Sequence, residues 1–302
     1  MPSFTRRMLH AASLAPSLLP EPAATTAFLK SRWTEAGGFR GRHVEADLYY
    51  TVFGLAGLAG LGADFEAARV GRFLAGFAPL KLDLVHLSSL VRCQGILREL
   101  GGDGAAQVQP RMDVRKVLAR LGQFRARDGG YSLLPDMPVS TPYACFLAIG
   151  LCQDVQCEFA QARQMPSCLE SGRAGDGGYA NLPGQPAGST PATAAAMQVL
   201  DALGLAAPPE IAGWLLARCD DAGGFAASPA APVPDLLSTA VALHALSGAG
   251  FSLGGLRDRC LAFVLGLGQA DGGFRAHRAD DVADCEYTFY ALLALGALAG
   301  SG

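Results

Sequence analysis

A pair of glycines followed by an aromatic residue recurs at positions 37, 129, 177, 223 and 272, and this spacing is what limits the fold. The last four sites lie 48, 46 and 49 residues apart, and the first gap of 92 spans two such periods. A degenerate copy therefore falls near position 83, within FLAGFAPLKLDLVHLSSLVRCQGIL, where the glycines are gone but the flanking pattern remains. Six units account for nearly the whole chain. A fixed period of this length belongs to repeat architectures, in which each unit buries its apolar face only against its neighbours.

Every unit shows the same order of signals. An amphipathic stretch such as VLARLGQF or IAGWLLARC leads into the glycine turn, and a polar loop follows. A more apolar stretch such as TAAAMQVLDALG or TFYALLALGALAG then closes the unit. Apolar residues return every three or four positions in both stretches, which predicts helices. Glycine suits the left-handed position that ends the first helix, and Ser, Thr, Asp or Pro often opens the second. The second helix is almost uncharged and is expected inside, whereas the first keeps Arg and Lys on one face and is expected outside. Inner helices this apolar are poorly suited to an open concave surface. The expected architecture is therefore a single all-α domain over 1–302, six hairpins closed into an α/α toroid.

With a net charge of −3, 50% hydrophobic and 17% charged residues, the chain has ample core and no basic footprint for nucleic acid or an anionic membrane. Gly, Pro or a charge interrupts each apolar run before it reaches the length of a membrane span. The start, MPSFTRRMLHAASLAPSLLPEP, places two arginines before a short apolar segment but lacks a clear cleavage site, and reads as a helix preceding the first repeat. Eight cysteines without a C-x-x-C pair read as small buried hydrophobes in a reducing, cytoplasmic setting. Only Cys285 stands in a polar stretch.

In a closed ring the starts of the inner helices gather around one mouth. Aligning the units on positions 51, 87, 144, 193, 239 and 288 puts Asp47, Asp83, Ser140, Ser189, Asp235 and Asp284 four residues earlier. Taken singly, these read as helix caps. Repeats six, one and two differ from the others: HRADDVADCEY, RGRHVEADLYY and KLDLVH bring Asp280, Asp281, Asp284, Glu286, Glu45, Asp47, Asp83, His43 and His86 to one arc. Tyr49, Tyr50, Phe53, Tyr143, Phe146, Tyr287, Phe289 and Tyr290 stand at or just inside the same level, and Arg40, Arg42 and Lys81 mark a polar rim.

These repeats resemble those of the protein prenyltransferase β-subunits and, more distantly, of the squalene-hopene type cyclases. The likeness covers essentially the whole chain and implies the α/α toroid. GGFRGRHVEADLYYTVF is similar to the segment in which the β-subunits carry a zinc-binding Asp and Cys. On that likeness Asp47 is the zinc aspartate, Tyr50 the tyrosine that accompanies it in the catalytic site, and Arg42 the arginine facing a diphosphate. His86, in DLVHL, is the zinc histidine. Tyr49 fills the cysteine position, so Asp47 and His86 alone make a weak zinc site that Cys285 or Glu286 would have to complete.

The resemblance further implies an isoprenoid diphosphate as substrate. Arg40, Arg42 and Lys81 would hold its phosphates and Tyr49, Tyr287 and Tyr290 its chain. The prenyl group would pass to a thiol or another nucleophile, and a helical α-subunit or another protein would be the partner. Loss of the cysteine leaves two alternatives: a non-catalytic toroid binding an isoprenoid or another apolar ligand, and a partner-docking protein. A protonating cyclase is not expected. DLLSTAVALHAL, 235–246, keeps Asp235, Thr239 and Ala240 of the cyclase pattern D-x-D-D-T-A but has Leu237 and Ser238 where the two acids belong.

Overall fold

The computed structural model describes residues 2–105, 112–160 and 162–300. Helix α1 (Phe4–Leu14) precedes six hairpins. Their outer helices are α2 (Pro22–Ser31), α4 (Ala67–Ala75), α6 (Val114–Gly122), α8 (Met165–Glu170), α10 (Pro209–Leu216) and α12 (Arg257–Leu265). The inner helices are α3 (Leu48–Gly60), α5 (Leu84–Ala105), α7 (Pro142–Asp154), α9 (Thr190–Ala202), α11 (Leu236–Gly248) and α13 (Cys285–Ala299). Each inner helix packs on the next around the ring, and α13 packs on α3, so the toroid is closed. The prediction of six hairpins with apolar inner helices holds. In α13, for instance, nine apolar side chains between Cys285 and Leu298 are buried.

A single hydrogen bond explains why the glycine turn and the helix-opening threonine recur together. The backbone N–H of the aromatic residue donates to the threonine hydroxyl: Phe39 to Thr51 at 2.9 Å, Tyr179 to Thr193 at 2.9 Å, Phe225 to Thr239 at 2.9 Å and Phe274 to Thr288 at 3.1 Å. The turn is thereby fastened to its inner helix, and an otherwise buried donor is satisfied. The first glycine of each pair has positive φ, +87° to +95°, as a left-handed turn position requires. In repeat three the same N–H, of Tyr131, meets Cys145 Sγ at 3.4 Å, and the helix cap is Thr141. The alignment expected from sequence, Ser140 and Ala144, is therefore one residue early: Ser140 instead bonds Asp128 through both its N–H and its hydroxyl.

Two features were not foreseen. The polar loops of repeats one and six pair as short antiparallel hairpins, β1 (Phe39–Arg40) with β2 (Ala46–Asp47) and β3 (Phe274–Arg275) with β4 (Ala283–Asp284). Helix α1 does more than precede the first repeat. It crosses the end of the ring where the inner helices finish, touching α3, α5, α7 and α13. Gly60 faces Ala12 and Gly296 faces the Ala11 backbone, so two glycines make the notches into which α1 settles. Phe4 stacks on Phe146 with ring centres 4.6 Å apart. The ring thus has a floor and an open mouth.

Candidate functional site

All six inner helices and α1 enclose a central cavity of about 320 Å³. Its upper wall is aromatic, formed by Tyr49 and Phe53 on α3, Tyr143 and Phe146 on α7, and Phe289 and Tyr290 on α13. Phe53 lies 4.9 Å from Tyr49 and 5.5 Å from Tyr290, edge-on or tilted, the arrangement in which aromatic quadrupoles attract. A recess at the mouth, bordered by Arg42, Tyr50, Asp235, His277, Asp280, Asp284, Glu286 and Tyr287, adjoins this wall.

Glu286 stands at the junction. Its carboxyl is 9% exposed and accepts a 2.6 Å hydrogen bond at Oε1 from the Tyr49 hydroxyl, so a residue of the recess is joined to one of the cavity. Burial pushes Glu286 up to about 7; the Tyr49 bond opposes the shift and the neighbouring Asp284 charge adds to it. Tyr49 and Tyr290 are raised far above the usual tyrosine value, chiefly by burial, and remain neutral phenols. This carboxyl therefore exchanges its proton near neutral pH, the condition for general acid or base work.

Arg42 closes the circle. From the β1–β2 turn it reaches repeat six, donating to Asp284 at 2.8 Å and to Asp280 at 2.5 Å and 3.2 Å, with its guanidinium 5.7 Å from the Tyr287 ring centre. The first and last repeats are joined by this clasp as well as by helix packing. Tyr50 packs over Gly41, where any Cβ would collide with its ring. Arg40 offers its carbonyl to the Cys285 thiol, and Lys81 is exposed on the short turn before α5.

The donors named for a metal are occupied elsewhere. Asp47 caps α3, accepting the N–H groups of Tyr49 and Tyr50 at 2.7 Å and 3.2 Å. His86 Nδ1 is bound to Asp83 at 2.8 Å. Cys285 is fully buried, and Glu286 bonds Tyr49. Among the described residues no group of three or more His, Cys, Asp or Glu side chains is placed to hold a metal, and as arranged these donors do not assemble a zinc site. All eight cysteines are free thiols. No helix among the described residues is long and apolar enough to cross a membrane.

Sequence reading passed over three residues of the lower cavity. Arg92, Gln198 and His244 are each the ninth residue of their inner helices, α5, α9 and α11, and all three line the cavity. A polar side chain at the core register of an otherwise apolar helix was the available signal. Burial, with the charge of Arg7 adding to it, lowers His244 to about 4 and keeps its imidazole neutral.

The family described as "Prenyltransferase alpha-alpha toroid domain" matches residues 8–71, 69–225 and 213–301, and the chain belongs to it. No curated protein sequence matches the chain. Solved structures of the same shape include a variant of the type II terpene cyclase MstE from Scytonema in complex with geranylgeranyl dihydroxybenzoate. It is 12% identical with a TM-score of 0.60, covering 97% of this chain and 98% of that one. Protein geranylgeranyltransferase-I of Candida albicans complexed with GGPP is 13% identical with a TM-score of 0.59, covering 97% and 90%. A protein from Actinoplanes is 15% identical with a TM-score of 0.57, covering 95% and 99%. At these identities the likeness shows the fold.

Proposed function

We propose that this member of the prenyltransferase α/α-toroid family takes an isoprenoid chain, uncharged at its reacting end, into its cavity and starts carbocation chemistry on it, with Glu286 as the proton donor. The observation that carries the reading is the Glu286–Tyr49 pair, a buried carboxyl near neutral pKa set against an aromatic, water-poor chamber. Neutral Glu286 accepts from Tyr49 at Oε1, which leaves Oε2 to carry the proton. An alkene or epoxide at the junction takes that proton with its own electron pair, leaving a glutamate anion and a carbon-centred cation. Faces of Tyr49, Phe53, Phe289 and Tyr290 stabilise such a cation electrostatically. Loss of a neighbouring C–H proton ends the reaction, and Glu286 regains its proton through the recess. Sequence reading set the cyclase aside for want of acids at 237 and 238. The structure supplies a buried acid from a different hairpin.

Charge at the mouth favours a ligand whose group resting there is uncharged. Asp235, Asp280, Asp284 and Glu286 border the recess, and the Arg42 guanidinium is engaged by two of them. A diphosphate there would have to draw Arg42 away from its partners. Prenyl transfer is the second reading, favoured by Glu286 as a base for an incoming nucleophile where a zinc thiolate is missing, and it depends on Arg42. Arg42→Glu should weaken prenyl diphosphate binding at least tenfold, and unchanged affinity would remove this second reading.

The main test is incubation of the purified protein with uncharged C15 and C20 isoprenoid alkenes and epoxides in deuterated water. The expected alkene products carry one solvent deuterium on carbon, with an extra ring or a shifted double bond, the expected epoxide products carry a new ring and a hydroxyl, and Glu286→Gln forms none of them. Alkene products without deuterium, or equal yield from Glu286→Gln, would overturn the assignment.

A further inference from the structure

Deeper in the cavity than the aromatic wall, three polar side chains join the lining. At the ninth position of the inner helices the ring carries Ala56, Arg92, Gly150, Gln198, His244 and Leu293, so the polar groups come from α5, α9 and α11. At Gly150 a Cβ would press on the Phe4 ring at 3.2 Å and meet Arg92 Nη2 in ordinary contact at 3.6 Å. The Arg92 guanidinium rests 5.9 Å from the Phe146 ring centre, and its Nε and Nη2 are buried without a hydrogen-bond partner. Asp154, the carboxylate whose ionisation Arg92 favours, is itself bonded to the Thr5 hydroxyl at 2.7 Å. Outside the lining, Arg7 on α1 rests over the Phe4 ring and is paired to Asp201 through one nitrogen. Leaving a charged donor unpaired in a closed cavity is costly, and hydrophobic binding alone gives no reason to retain one.

Resting on the reading that the cavity takes an apolar chain, we propose that its floor is a carboxylate subsite: the ligand enters with a carboxylate leading, held by Arg92 with Gln198 and His244. The chain then runs back through the aromatic level, and its far end reaches Glu286. Arg92 supplies the charge complementary to the carboxylate. Gln198 and His244 line the same cavity, the amide with two donors and the neutral imidazole with one. The substrate class is thus an isoprenoid acid whose reactive alkene or epoxide lies at the end opposite its carboxylate. Such a ligand presents an uncharged end to the acidic recess and its anion to the only strongly cationic part of the cavity lining among the described residues.

Calorimetric titration of the full chain with three C15 isoprenoid probes, ending in a carboxylate, a primary alcohol or a methyl group, tests this. At pH 7.5 the carboxylate should bind at least about tenfold tighter than the alcohol, the scale of one charge-assisted contact. Arg92→Met keeps the unbranched stem and removes the charge; it should abolish that preference while alcohol affinity stays within about threefold. Arg92→Gln, checked with it by thermal melting, guards against a folding defect, and Arg42→Gln at the mouth should leave the preference in place. A preference that survives both Arg92 variants, or vanishes with Arg42→Gln instead, overturns the proposal. Equal binding of all three probes overturns the subsite but leaves the apolar cavity standing. Binding of none overturns both.

Discussion

Glu286 shows how one position can serve two purposes at once. As a second residue of α13 it belongs to a helix start, where an acid is unremarkable. Burial, opposed by the Tyr49 bond, makes it a titrating group near pH 7. Its folded value lies above the ordinary 4.5, so its contribution to stability is complete below pH 4.5 and is lost as pH rises through about 7. Glu286→Gln should therefore be more stable than wild type at pH 8, by up to about 3 kcal/mol from a shift of this size, and the advantage should shrink toward pH 5. Urea melts of both proteins across pH 5–8 measure it, and parallel curves would contradict the assignment. The repeated threonines allow an equally local test. Thr239→Val leaves the buried Phe225 N–H without its acceptor and should cost about 1–3 kcal/mol, whereas Thr239→Ser keeps the bond and should cost less.

At the scale of elements, α1 decides whether the ring is a tunnel or a cup. It is held by Phe4 on Phe146, by Thr5 on Asp154 and by the glycine notches at Gly60 and Gly296. A Cβ at Gly296 would collide with the Ala11 carbonyl, so Gly296→Ala should push α1 off α13 and destabilise the protein by about 1–3 kcal/mol. Hydrogen exchange should rise first in residues 4–14. Unchanged protection there would mean that α1 is not seated through this contact. The expected order of helices, glycine turns and caps was legible because each follows from local chemistry that recurs from repeat to repeat. Repeat three slipped by one residue because Cys145 stands in for threonine, and a thiol gives no cap-like signal in sequence. The hairpins of repeats one and six were invisible, since two-residue strands carry too little pattern to register.

For the molecule as a whole, the cavity couples stability to pH from the acid side too. His244 is held near 4 against an ordinary 6.5, so the stability gained by keeping it neutral is full above pH 6.5 and is lost as pH falls toward 4. His244→Gln should flatten that acid limb in thermal melts between pH 6.5 and 4.5. An unchanged slope would mean that the imidazole titrates freely.

The repeat period by itself determined the six hairpins, their division into inner and outer helices and the closure of the ring, because an inner helix without charges is stable only when covered on every side. Tertiary structure decided which polar side chains meet. Arg42, expected at a diphosphate, turned out to clasp Asp280 and Asp284. Asp47 and His86 bond partners within three residues, and Tyr49 meets Glu286, 237 positions apart. Helix caps and turns are set by nearest neighbours in the chain, and sequence reports them. Which side chain meets which across a closed ring depends on rotation and depth of helices far apart in sequence, and no local pattern encodes that.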